Sequence, residues 1–345
     1  MAVAAGDTMT GRFRRALARL VKHVDATEAA VGERFPVYAD PVTGSWTTSR
    51  RGSWVAGFWV GQLWLRARLT GDRPHLGAAE SWVQRLWPAA EADTVTRGLV
   101  LWYGAAAGSR LGMSDAGVEL ARLGASGLGK TLDSHAGVLP WGTAFGDPAE
   151  PVIARVDGLA GTVPLLAWAG ITGAADVHLR THLDICCVDD EIVPAWEWSH
   201  GRWRVRSEPP VGWSRSRPWL LLALADASRW LGADFGDRAN RLIDRSPRLL
   251  AVPAAGYWHP EIRDTSAAAI TAVALCKLER MDEAAELVDV LLGHHLRAEP
   301  GTGGLLGGCY DLERGLAVEH ELIWGNFFLM LAVAILAGAI PATAI

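Results

Sequence analysis

Lysine is nearly missing from this chain. Lys22, Lys130 and Lys277 stand almost alone among 345 residues, and arginine supplies the rest of the 33 cationic side chains. Against 38 acidic residues this leaves a formal net charge of −5, with no dense basic run, so a nucleic-acid partner is not expected. Scarce Lys beside abundant Arg and Ala reads as the mark of a high-GC bacterial genome. Cysteine is sparse too: Cys186, Cys187, Cys276 and Cys309 form no C-x-x-C pair and meet no histidine at zinc-ligand spacing. Neither a metal nor a cofactor is therefore expected. The opening "MAVAAGDTMTGRF" has no apolar secretory segment, which makes the expected setting a cytoplasm with reduced thiols. Alternating β-branched runs bounded by turns hardly occur, so strands are expected to be few.

Two features that could mislead are set aside on context. "GASGLGKT", Gly124 to Thr131, fits the phosphate-loop pattern at every fixed position. A phosphate loop needs a strand running into it. Here Ser114 or Asp115 offers an N-cap, and Val118, Leu120 and Leu123 recur at helical spacing, so a helix enters instead. The uncharged run Leu322 to Ile340 is long enough to span a bilayer. Gly325 and Asn326 interrupt it and no basic flank follows, so it reads as a helix buried on all sides, and no membrane partner is expected.

What the sequence does hold is helix. With 50% hydrophobic and 21% charged residues it has a globular composition. Candidate helices fall near 9–32, 55–70, 75–90, 97–111, 115–131, 156–173, 175–184, 217–232, 234–246, 264–280, 281–297 and 321–338. Very apolar helices such as "GFWVGQLWLRARL" alternate with more polar ones such as "HLGAAESWVQRLW", which is what two concentric layers require. Six helical hairpins in a ring make an all-α (α/α)6 barrel. No linker composition divides the chain, so one domain over 1–345 is expected. The connections 33–54, 132–155, 185–216 and 298–320 become rim loops, where binding residues tend to sit. Tryptophan, at 17 residues, is several times commoner than usual and clusters there: Trp46 and Trp54, then Trp196, Trp198, Trp203 and Trp213, with Trp219 just beyond. Trp64, Trp168 and Trp230 lie in helical runs and read as core. Loop tryptophans suit a flat apolar ligand face such as a sugar ring, so a sugar-like or bulky small-molecule substrate is expected. Nothing in the sequence fixes an oligomeric state.

Five segments, "SWVAGFWVGQLWLRARLTGD" (53–72), "RVDGLAGTVPLLAWAG" (155–170), "GWSRSRPWLLLALAD" (212–226), "RDTSAAAITAVALCKL" (263–278) and "ELIWGNFFLMLAV" (321–333), stand in one order and spacing. Together they resemble glycoside hydrolase family 88, the unsaturated glucuronyl hydrolases, over nearly the whole chain; the unsaturated rhamnogalacturonyl hydrolases are a more distant match. The resemblance implies the same (α/α)6 barrel. It also implies a reaction in which an Asp protonates the C4=C5 vinyl ether of an unsaturated uronic acid and activates water. That role falls on Asp157. A carboxyl at the mouth of an apolar, helix-lined pocket would be poorly solvated, a condition that favours proton donation. From the residues alone Asp157 serves equally well as a cap for a helix that follows it. By the same resemblance Trp54 and Trp141 are rim tryptophans of the sugar site, Arg215 and Trp219 belong to a W-[SA]-R-G-Q-x-W segment, and Trp213 is the first Trp of that segment. Arg215 could then fork onto a substrate carboxylate. Asp264 matches a family Asp but is also an ideal N-cap, the reading preferred here. Trp324 is expected to pack the barrel interior near the pocket.

The departures matter as much. Thr96 stands where the family carries a second Asp, and Val95 where it carries the preceding His; Asp93 is three residues early. The family's other active-site His has Trp196 at the nearest position, with His200 eligible only through a rerouted loop. Ser216–Arg217 replaces Gly-Gln, and Asn326 replaces a terminal Asp. Three readings follow: a divergent glycosidase with Asp157 as acid and base; the same barrel recruited in a biosynthetic pathway for cyclisation, isomerisation or hydration; or a binding protein without turnover.

Overall fold

In the computed structural model, which describes residues 2–188, 191–297 and 303–345, six apolar helices form a closed ring. They are Ala56–Thr70, 97–110, Thr162–Trp168, Ser216–Trp230, Thr265–Lys277 and Ile323–Leu336; each packs on the next and the last packs on the first. Outside them lie Arg73–Gln84, Val118–Gly129, Thr172–Cys186, Asp234–Asp244, Met281–His294 and the N-terminal Ala2–Val31, each packed on one or two inner helices. Burial follows the two sequence patterns. Every residue of Ile323–Leu336 is buried, whereas Asp234–Asp244 buries only Phe235, Ala239 and Ile243, one stripe at a spacing of four. The expected (α/α)6 barrel is the observed fold. Among the described residues no helix is long and apolar enough to cross a membrane; the uncharged run becomes a 14-residue inner helix.

Small residues let the inner helices touch. A Cβ on Gly57 would lie 2.6 Å from Val100 Cα, and one on Gly104 would lie 2.9 Å from Gly57 Cα. Ala56–Thr70 therefore crosses 97–110 backbone to backbone. At that crossing the second helix widens into a π-helical stretch, Leu101–Ala106, and Trp64 donates its indole N–H to the Gly104 carbonyl at 2.8 Å. The phosphate-loop match resolves as expected: most of it lies inside helix Val118–Gly129, with no strand before it.

Strands, which the sequence barely signals, form in the connections between helices. They are short, so an alternating pattern has no room to show. Val152–Arg155 pairs with Ala195–Ser199, which pairs with Arg202–Val205; Phe35–Ala39 pairs with Trp46–Ser49 and with Glu321–Leu322; Ala254–Gly256 pairs with His259–Arg263. The helix expected over 156–173 starts only at Thr162, and Val156–Gly158 is a single 3-10 turn continuing the strand Val152–Arg155.

Helix Thr172–Cys186 backs that turn with two buried histidines. Their rings meet edge to face at 4.4 Å; Leu139 N–H donates to His178 Nδ1 at 3.0 Å, and His182 Nδ1 donates to the His178 carbonyl at 2.8 Å. Burial pushes both imidazoles down, His182 to about 4, with each also lying against backbone next to Asp157.

Two predictions follow from this packing. Gly57→Ala forces the crossing helices apart and lowers stability by about 1–3 kcal/mol, while Gly77→Ala, exposed in helix Arg73–Gln84 with open space around it, raises it by about 0.5–1 kcal/mol; urea unfolding measures both. The histidine pair sets an acid limit. The unfolded chain protonates each imidazole below about pH 6.5, whereas folded His182 stays neutral down to about 4. Stability is therefore lost as pH falls through that window, by about 1.4 kcal/mol per pH unit for each histidine. Unfolding at pH 6.5, 6 and 5 shows this slope, and His182→Gln makes it shallower.

Candidate active site

Asp157 stands where a strand gives way to an inner helix. Val156 N–H donates to the Pro194 carbonyl at 2.9 Å, ending the pairing of Val152–Arg155, and the chain turns once before Gly161 starts the helix Thr162–Trp168. Gly161 occupies the N-cap position with no side-chain cap, so Asp157 is not the helix cap that the residues alone allowed. Its carboxylate instead accepts two hydrogen bonds from Arg155, from Nε at 3.0 Å and Nη2 at 2.8 Å. The poorly solvated carboxyl expected from the sequence is thus also a paired one. Arg155 in turn lies over the Trp141 ring at 4.0 Å.

Asp157 opens onto a cavity of about 640 Å³ at one end of the barrel. Trp54, Thr96, Trp141, Trp213, Arg215 and Trp219 line it with Asp157, so seven of the residues singled out by sequence meet there. Backbone hydrogen bonds stitch the wall together: Val95 N–H donates to Trp141 O at 3.2 Å, and Trp141 N–H to Ile153 O at 2.9 Å. Trp324 does not line the cavity. It is fully buried beneath it, with its ring 4.8 Å from Trp54 and 5.2 Å from Tyr310, and it supports those side chains from below.

Arg215 lines the cavity, but its terminal nitrogens are engaged by the protein. Nη1 donates to Asp264 Oδ2 at 2.7 Å and to the Cys309 carbonyl, and Nη2 donates to the Tyr310 carbonyl at 2.7 Å. The fork expected to meet a substrate carboxylate instead builds the wall. Asp264 is the N-cap of Thr265–Lys277, accepting from Ser266 N–H at 3.1 Å, as preferred from sequence. Arg217 points elsewhere, donating to Ser246 Oγ at 2.9 Å.

The missing polar partners are not restored by rerouting. Asp93 lies outside the lining and accepts from Thr143 N–H at 3.0 Å and from its hydroxyl at 2.6 Å; those bonds hold its carboxyl below the usual range. His200 sits in the tight turn between strands Ala195–Ser199 and Arg202–Val205. Thr96 is buried, with its hydroxyl 3.0 Å from that of Thr94. Sequence reasoning missed the charged members of the lining: Arg155, Asp147, Arg206 and Glu208 from one side, Asp311, Glu313 and Arg314 from the other. None of them carried a readable signal: Arg155 ends a four-residue strand and Asp157 lies in the 3-10 turn after it, so no regular period places the two together.

No family model matches the chain. The unsaturated glucuronyl hydrolase of Bacillus sp. (strain GL1) is 27% identical over 346 residues, covering 88% of this chain and 90% of that protein. A solved unsaturated glucuronyl hydrolase carrying dGlcA-Glc-Rha-Glc superposes with a TM-score of 0.82 at 23% identity, over 94% of this chain and 96% of that one. One specific for heparin gives 0.83 at 18% identity, over 94% and 97%. In sequence and in fold together, the chain is similar to the unsaturated glucuronyl hydrolases, whose barrel it shares.

Proposed function

We propose that the chain is a glycosidase that acts on an unsaturated uronate by hydration, with Asp157 as general acid and base. The observation that carries this is the placement of Asp157 inside an aromatic-walled cavity together with Trp54, Trp141 and Trp219. In the proposed sequence Asp157 delivers a proton to C4 of the C4=C5 vinyl ether, and positive charge develops at C5 and the ring oxygen. Water adds at C5 as Asp157 takes its proton back. The resulting hemiketal opens, and C1 releases the neighbouring sugar with its glycosidic oxygen. Flat aromatic faces fit the sugar rings and exclude competing water. The relatives' activity as unsaturated glucuronyl hydrolases supports this reading, as does the oligosaccharide held by one of their solved structures.

A specific observation favours a second reading. Thr96 and Thr94 face each other where the family pattern places a carboxylate, which suits a recruited barrel running another acid-dependent reaction in a biosynthetic pathway. Against it, Asp147 and Glu208 line the same cavity and offer a second carboxylate from a different loop.

An unsaturated uronyl disaccharide, followed by loss of the ultraviolet band of its double bond, separates the readings. Asp157→Asn is expected to lower turnover by about 10²–10⁴-fold while leaving binding of the disaccharide intact; unchanged turnover would remove Asp157 from the chemistry. Trp54→Ala is expected to raise KM about tenfold with little change in kcat, since a stacking face worth about 1.5 kcal/mol binds ground and transition states alike.

A further inference from the structure

Asp157, Asp147, Glu208, Asp311 and Glu313 bring five carboxylates to the cavity, against four guanidinium groups, yet the proposed substrate is itself an anion. Something must receive its carboxylate. Arg215 is engaged by Asp264 and two carbonyls. Arg314 is 74% exposed at the rim, beside Asp311 at 3.7 Å. Arg206 lies between Asp147 and Glu197, 3.5 Å from each. Arg155 remains.

Its geometry differs from the others. A guanidinium has five N–H donors along two edges. Arg155 uses the Nε–Nη2 edge on Asp157 and lays one face on Trp141, while Nη1 has no hydrogen-bond partner among the described residues. Arg155 pairs with Ala195 across the sheet, and Arg206 N–H donates to the Ala195 carbonyl at 3.0 Å, so a small residue separates the two arginines in one row of the cavity wall.

We propose that Arg155 is the recognition residue for the substrate carboxylate, taking it on the Nη1–Nη2 edge while the adjoining Nε–Nη2 edge keeps Asp157. This rests on the hydrolytic reading above and names its anion site. It also fits the chemistry: the carboxylate of an unsaturated uronate is on C5, next to the C4 that receives the proton, so one guanidinium beside Asp157 reaches both. Two carboxylates on one guanidinium compete for a single positive charge, and that competition favours a shared proton. The substrate would then supply part of the like-charge environment that the residue at Thr96 no longer does. Arg155 touches the substrate's binding group and positions Asp157.

The test is calorimetric binding of glucuronate and of its neutral methyl ester to the full chain, which requires no turnover. The wild type is expected to bind the acid at least about tenfold more tightly than the ester. Arg155→Met, checked for native circular dichroism, is expected to bring the two within about twofold, and Arg155→Lys, which keeps charge but not the fork, to fall between. Arg206→Met keeps the wild-type preference. The proposal is overturned if the wild type does not distinguish acid from ester, if the full preference survives in Arg155→Met, or if Arg206→Met is the variant that abolishes it. A preserved acid preference with no turnover of any unsaturated uronate would defeat the hydrolytic reading and keep the carboxylate site. Turnover of an unsaturated uronate with the acid preference unchanged in Arg155→Met would do the reverse.

Discussion

One fully buried carboxylate holds the open end of the barrel in shape. Asp264 accepts from Ser266 N–H, Ser266 Oγ at 2.6 Å, Ser214 Oγ at 2.6 Å, Arg215 Nη1 and Cys309 N–H at 3.3 Å. A charge taken out of water is tolerated only when donors surround it, and these come from three separate stretches of chain. The first turn of Thr265–Lys277, the segment leading into Ser216–Trp230 and the connection before Ile323–Leu336 are therefore fixed to one point. Arg215 extends the hold to the Cys309 and Tyr310 carbonyls. Tyr310 then accepts the Trp54 indole N–H at 3.0 Å, and both rings rest on Trp324. The aromatic wall opposite Asp157 is a consequence of how Asp264 is satisfied.

The other wall depends on a sheet that belongs to the loops. Val152–Arg155 and Ala195–Ser199 present one face to the tryptophans Trp196, Trp198 and Trp203, which cover a small apolar cluster around Val152 and Ala154, and the other to the cavity. On that second face Ile153, Arg155 and Arg206 line the space beside Asp157. Several tryptophans that suggested ligand stacking thus hold the sheet, while Trp54, Trp213 and Trp219, which meet the cavity, lie in the family-like segments. The resulting site joins apolar rings to paired charges, a combination suited to an anionic sugar whose face stacks and whose carboxylate is held by a fixed guanidinium.

The barrel was legible because its signal is long. Inner helices such as Ile323–Leu336 are apolar all round and outer ones such as Asp234–Asp244 show one stripe, so the two layers could be read without any contact being known. Asp264 was legible for a similar reason, since an Asp before "TSAAAI" has one strong local use. The charge partners of the site were not. Whether Arg215 faces a ligand or a buried Asp depends on Asp264, in a segment far along the chain, and the strand that ends at Arg155, just before Asp157, is too short to announce itself. The aromatic residues were over-assigned chiefly in the loops, where Trp196, Trp198 and Trp203 cover the sheet; Trp324, expected in the barrel interior near the pocket, is fully buried there and does not line the cavity.

The central claim is that cleavage proceeds through hydration of the double bond with Asp157 beside C4. Proton nuclear magnetic resonance during turnover of an unsaturated uronyl disaccharide tests it most directly. The vinyl proton signal at C4 is expected to disappear before or together with release of the neighbouring sugar. Release of that sugar while the vinyl signal persists, or loss of neither across a panel of such disaccharides, would contradict it.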